Sequence, residues 1–289
     1  MRLLHFIKHW KLSILLWGIG FITMPQQAFS QSNPSFVIDT SCNPIEIILA
    51  IEEAEGFDYP VSIYSWIDSI QNLSIDTHKI SLFGQLFQVN QHFKSQATQA
   101  KSYLGTLGQC LQYKYFDCDI LSLLMLSYFE VKTKNLCGFW NEKHMWIGDC
   151  EDMNQQWETT TLKNESINHY YKKYSVPDNF EHESNYYKAL SKKDYMAWAY
   201  FQLGSKQLAL ANYDLALKYC FKALSFSDNW PKAYELLGDA YFQQKDFNKA
   251  EIAYYQAYSL FKKDEKIKEK IIGVYQQLGC LEEIVLIAK

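Results

Sequence analysis

Residues 197–264 repeat themselves at a spacing of 34. Gly204 maps onto Gly238, Leu203 onto Leu237 and Tyr200 onto Tyr234. Further on, Tyr213 maps onto Phe247, Ala216 onto Ala250 and Ala223 onto Ala257. A period of this length describes one supersecondary unit that cannot bury its apolar face alone and must stack on a neighbour. Gly and Ala recur where two helices would approach closely, and large residues recur between them. The chain therefore has to contain a stack of helical hairpins.

These positions resemble the tetratricopeptide pattern. The full units are Ala197–Trp230 and Pro231–Asp264, each broken at a polar turn, Ala211-Asn212 and Lys245-Asp246. A third, incomplete unit runs from about Glu265 to Lys289, with Tyr275, Leu278, Leu281 and Ile284 continuing the apolar spacing. Stacks of this kind usually need about three units. Two and a half predict an array that packs on the domain before it. The resemblance implies a protein or peptide partner.

The first thirty residues have another character. Arg2, Lys8 and Lys11 precede an uncharged run, Leu12–Met24, which stops at Pro25. Ala28 and Ser30 place small residues ahead of Gln31. This is the pattern of a secretory signal cleaved before Gln31. The run is shorter than the roughly 20 residues that cross a bilayer. The expectation is an exported chain, periplasmic or secreted, with no membrane span after cleavage. The alternative is an uncleaved signal that anchors the chain. Residues 31–190 and 191–289 then form two domains. The net charge of −4 and the absence of any basic run exclude an electrostatic nucleic-acid binder.

Export to an oxidising compartment makes disulfides available to the seven cysteines. An odd count leaves at least one thiol over. Cys137 and Cys150 are one candidate pair, although spacing alone does not fix connectivity. No CxxC or HExxH occurs in the sequence, so no metal site and no cofactor are expected.

Between residues 43 and 115 the apolar spacing predicts helices after Pro44, over Ser65–Leu73, from about Ser81, and over 99–115. Ile120–Phe129 is apolar almost all round, which predicts a buried central helix. Cys118 stands at its start, where the helix dipole favours a thiolate. Asp117 or Asp119 is placed to cap that helix, and either charge opposes thiolate formation. Strands are predicted at Asn135–Trp140, at His144–Gly148 and around Gln155–Thr160, with Asn141-Glu142-Lys143 as the first turn. Trp146 and Trp157 are expected in the core.

A cysteine on a helix, a histidine on a strand and an acid on the next strand are the parts of an activated thiol. The segments Asp117-Cys118-Asp119, Lys143-His144-Met145-Trp146 and Gln156-Trp157-Glu158-Thr159-Thr160 resemble a transglutaminase-like core of papain-type topology. They are most similar to a bacterial branch in which tetratricopeptide repeats follow that core. Tyr186–Ser191 resembles the linker helix of the branch. The resemblance implies an α+β fold, with a mainly helical core and a small antiparallel sheet followed by an all-α array. It implies Cys118 as nucleophile, His144 as general base and Glu158 as the residue that orients it. Phe116 stands where the family usually has Gly, and Glu142 where the branch often has Pro. These departures favour a protein-binding scaffold, a pseudoenzyme, over its alternative, an active cysteine peptidase, amidase or transamidase.

Overall fold

The computed structural model describes residues 43–73, 81–98, 105–130, 135–141, 143–161, 163–174, 185–262, 264–280 and 282. The expected signal, Cys42, Glu142 and the end of the third unit, with Leu281 and Ile284, lie outside these residues. The described residues belong to one compact unit, Ser41–Lys289. They are mostly helical, with eleven helices and one four-stranded antiparallel sheet.

Five helices come first: α1 (Pro44–Ala54), α2 (Val61–Gln71), α3 (Leu82–Gln96), α4 (Leu107–Tyr113) and α5 (Cys118–Glu130). Local chemistry sets their starts. Asn43 accepts the Glu46 N–H to cap α1, and Pro44 fills the first turn, where no N–H is needed. Thr106 and Gln109 form a reciprocal capping box on α4. The α5 helix is the hub. Ile120, Leu121, Leu123, Leu124, Met125 and Phe129 are all buried, because apolar residues occupy every face and neighbouring elements surround it.

The helix expected over 99–115 is confined, among the described residues, to Leu107–Tyr113. Lys114 turns left-handed after it, with φ 57°, and stops it there. The second helix opens at Val61, four residues before the expected start, because Pro60 supplies the extended residue ahead of it.

The sheet is a meander of β1 (Leu136–Trp140), β2 (Met145–Asp149), β3 (Gln156–Glu158) and β4 (Lys163–Glu165). Cys137 is bonded to Cys150 and closes the first hairpin. The short β4 and the helix after it, α6 (Ile167–Lys173), were not anticipated. Their signal is Ser166, whose hydroxyl caps α6, followed by Ile167, Tyr170 and Tyr171 at helical spacing.

The expected linker helix at Tyr186–Ser191 does not form. Tyr187 has φ 59°, and its N–H donates to Trp140 O at 2.8 Å. The Leu190 N–H donates to Gly138 O, also at 2.8 Å. The open edge of β1 offers unpaired acceptors to the passing chain and takes the N–H groups a helix would need.

The array is α7 (Lys192–Ala209), α8 (Tyr213–Phe226), α9 (Pro231–Gln243), α10 (Phe247–Leu260) and α11 (Glu265–Leu278). Its period extends beyond what the side chains alone indicate. Ala211, Lys245 and Gly279 stand 34 residues apart, and all three are left-handed, with φ 59°, 63° and 73°. Each lies just past the end of the first helix of its unit. The next residue then donates its N–H back five positions: Asn212 to Gln207, Asp246 to Tyr241 and Cys280 to Tyr275. This is the capping geometry of a Schellman-type helix end.

The array packs on the core, as its small number of units requires. The Trp140 ring lies 4.5 Å from Trp230 and 5.8 Å from Phe201, and Tyr186 lies 5.2 Å from Phe261. Helix α1 covers α7. Glu55 pairs with Lys218 and Lys222, and Lys206 donates to Gln109 at 2.8 Å. The exposed end of a helical stack is its weak point, and here the core covers the first hairpin.

Candidate functional site

The site lies where the start of α5 meets the middle of the sheet. Asp117 caps the helix: its Oδ1 accepts the Ile120 N–H at 3.0 Å. Cys118 follows as the first helical residue and is half-buried. His144 lies one residue ahead of β2, not within it, because Asn141 Oδ1 accepts the N–H groups of Lys143 and His144 and holds the turn open until Met145. Glu158 closes β3. Strand β2 pairs with β3 in a register, Ile147 with Trp157, that places His144 diagonally across from Glu158 on the same face.

Two of the three expected residues meet. His144 Nε2 stands 2.7 Å from Glu158 Oε2, with both side chains almost fully buried. The contact is close but does not meet hydrogen-bond geometry at Nε2. Thr160 donates to the other oxygen, Oε1, from its hydroxyl at 2.8 Å and its backbone N–H at 3.2 Å. Lys173 Nζ approaches Oε2 at 3.7 Å. Burial alone would raise the Glu158 carboxyl, but the contact with His144 and the bonds from Thr160 outweigh it and hold the group at about 2. The His144 ring stacks on Trp146, and Trp146 stacks on Tyr170 with centroids 4.1 Å apart. Trp146 and Trp157 are both core residues, as expected.

The third residue faces elsewhere. The Cys118 thiol donates to Asp119 Oδ1 at 3.3 Å and makes no hydrogen bond to His144. Burial, then the Asp119 carboxylate, push the thiol well above its ordinary range, while the Met145 N–H acts in the opposite direction. Asp119 is itself raised by burial and by the charge of Asp117. Trp198, from α7 of the array, contributes to the surroundings of Asp119. The helix dipole favours a thiolate here, whereas burial, Asp119 and Asp117 oppose it.

Thr160, Lys173 and Tyr170 were not anticipated as part of the site. Thr160 is legible only as a hydroxyl two residues past an acid. Lys173 and Tyr170 depend on α6. Among the described residues, no group of three or more His, Cys, Asp or Glu side chains is arranged to hold a metal ion, and no helix is long and apolar enough to cross a membrane.

No curated protein matches this chain. Among solved structures, the P212121 form of MamA AMB-1 is 16% identical, with 78% of this chain and 88% of that one covered at a TM-score of 0.32. The C2221 form is 15% identical, with 79% and 95% covered at the same TM-score. Overlays at that level carry no weight for fold or function. The tetratricopeptide repeat family model matches residues 231–264, the bounds the 34-residue period assigns to the second unit, so the array contains a repeat of that family.

Proposed function

We propose that this protein is an exported protein-binding scaffold, in which a transglutaminase-like core supports a short tetratricopeptide array that holds a partner polypeptide. The observation that carries this reading is the repeat at 231–264, set between a preceding hairpin and α11 and packed on the core. The transglutaminase-like assignment is supported by a cysteine opening a buried helix against an antiparallel sheet, a histidine just ahead of its second strand and an acid on its third. Export is supported by the pattern of residues 1–30 and by the Cys137–Cys150 disulfide, a bond characteristic of oxidising compartments.

Non-catalytic use of the core is supported by the direction of the Cys118 thiol. It bonds to a carboxylate, which favours the protonated form, and that form is a poor nucleophile. The second reading is an amide-bond enzyme. One observation favours it: the His144–Glu158 contact at 2.7 Å, which is the base–orienter half of a triad. Cys118 would then attack the amide carbon, its proton passing through His144 to the leaving amine.

Iodoacetamide labelling followed by mass spectrometry across pH 5 to 10 separates the two. For the scaffold, Cys118 labels no faster than Cys280, the other half-buried free thiol among the described residues, with no plateau at low pH. Cys118→Ala then retains whatever cross-linked partner the unmodified protein holds. Rapid labelling of Cys118 below pH 7 that His144→Ala abolishes overturns the scaffold reading in favour of the enzyme.

A further inference from the structure

The two residues after β3 collect hydrogen bonds from two helices. Asn90 Nδ2 donates to Thr159 O at 2.7 Å, and Lys94 Nζ donates to Thr160 O at 2.6 Å. Asn90 and Lys94 are four residues apart on α3 and therefore project from one face. From α5, Ser122 Oγ lies 3.1 Å from Thr159 Oγ1, which in turn donates to Cys118 O at 3.5 Å. Thr160 then presents its N–H and hydroxyl to Glu158 Oε1, leaving Oε2 to His144.

Asn90 is 1% exposed, and its Oδ1 has no hydrogen-bond partner. A buried, unpaired amide oxygen is destabilising, and a leucine of similar size would fill the same space without it. What leucine cannot provide is the bond to Thr159. Leu86, Phe87, Met125, Ile147 and Trp157 line the same narrow cleft as Asn90, Glu158 and Thr159, so on the α3 side Asn90 is the polar residue that reaches the Glu158–Thr159 segment through an otherwise apolar wall.

We infer that Asn90, assisted by Lys94, is a positioning residue for the His144–Glu158 pair: it fixes the Thr159–Thr160 turn, and that turn holds the Glu158 carboxylate against the imidazole. The inference rests on reading His144 and Glu158 as one site, but not on whether that site is catalytic. Neither residue touches His144 directly. Both act through the turn.

The test is hydrogen exchange of the His144 ring N–H, followed by NMR on the full chain. In the unmodified protein Glu158 Oε2 lies 2.7 Å from His144 Nε2, and His144 is buried. Asn90→Leu is expected to accelerate its exchange about tenfold, while the backbone amides of α5 and β1 keep their protection. Lys94→Met, at an exposed position, is expected to give about threefold, and Lys94→Arg, which keeps a donor, to restore the original rate. Unchanged ring N–H exchange in a folded Asn90→Leu protein overturns the inference. So does an acceleration that the α5 and β1 amides share in full, since that marks general destabilisation. If Asn90→Leu does not fold, Lys94→Met decides by the same criterion. Thiol labelling plays no part in these outcomes, so the scaffold reading can fail while this one stands, and the reverse.

Discussion

In the array, Lys245 does what Ala211 does 34 residues earlier and Gly279 does 34 residues later. In the core, Cys118 opens a helix, His144 closes a turn and Glu158 ends a strand, and the array's 34-residue period copies none of them. The array is built from neighbours in sequence: α7 on α8, α9 on α10, and each pair on the next. The core is built from partners far apart, such as Tyr59 with Thr106 and Asn90 with Thr159. A change in the core should therefore remove bonds that nothing nearby can replace. The same kind of change in the array can be compared with its own repeat.

The largest expected effect is at Glu52, fully buried in α1. Its carboxylate accepts Leu107 N at 2.6 Å, Gly108 N at 2.9 Å and Tyr59 Oη at 2.8 Å, so it ties α1 to the start of α4. Glu52→Ala leaves the buried Leu107 and Gly108 N–H groups short of an acceptor, and we expect a loss of about 3 kcal/mol or more in urea unfolding. The pH dependence has a definite sign. Burial raises the Glu52 carboxyl from 4.5 to about 7, against the opposing pull of Gly108, Tyr59 and Leu107. The folded state therefore holds this proton more tightly than the unfolded state. Its contribution is complete below pH 4.5 and is lost as pH rises through about 7. Glu52→Gln should remove that slope. Glu158 has the opposite sign and acts lower, its contribution present above pH 4.5 and lost as pH falls through about 2. A stability profile that does not decline between pH 4.5 and 7 would mean that Glu52 is not held as described.

The same contrast explains what was legible in the sequence. The array could be read from one alignment of the chain on itself, because spacing, small residues and turns all recur. The buried α5 helix and three of the four strands could be read from local apolar pattern. Glu52 could not. In sequence it is an acid at the end of an apolar run, indistinguishable from Glu53, and its role comes from residues 107 and 108. The cysteine, histidine and acid could be placed in order along the chain. The bond from the Cys118 thiol to Asp119 could not, because in sequence Asp119 is one of two acids flanking the cysteine and nothing local marks it as the acceptor. The segment at 186–191 was misread because its partner, the open edge of β1, lies nearly fifty residues back in the chain.

Equivalent glycines in the two full units give a smaller effect and a sharper comparison. A Cβ on Gly238 would lie 2.4 Å from the ring of Tyr254, which is buried and whose hydroxyl donates to Asp239 Oδ1 at 2.7 Å. That ring is fixed at its far end and has no room to retreat. A Cβ on Gly204 would meet the tip of Leu236 at 3.1 Å, a flexible methyl that can yield. Gly238→Ala is expected to lower stability by about 2 kcal/mol through overpacking. Gly204→Ala should be nearly neutral, because the better helix propensity of Ala, close to 1 kcal/mol, offsets the tighter contact. Equal losses at the two positions would show that the helices of the two units approach each other alike, and that Tyr254 moves more freely than its bond to Asp239 suggests.

The smallest effect reverses direction. Of the three left-handed helix ends, only the third carries glycine, at 279. Ala211 and Lys245 hold the same conformation with a Cβ, which costs an L-residue about 1–2 kcal/mol. Replacing either with glycine removes that strain but makes the unfolded chain more flexible, a loss of about 0.4–1 kcal/mol. The difference predicts a net gain of about 0.5 kcal/mol for Lys245→Gly and for Ala211→Gly, seen as a higher urea midpoint at unchanged slope. Lys245 is the cleaner site, because Ala211 also borders the open depression formed with Asn212, Tyr213 and Gln244. Gly279→Ala should move the midpoint the other way by a similar amount. Loss of stability for Lys245→Gly and Ala211→Gly, with a gain for Gly279→Ala, would mean that the left-handed turn is not strained in this array. The 34-residue period would then be set by helix packing alone, with no contribution from the way the helices end.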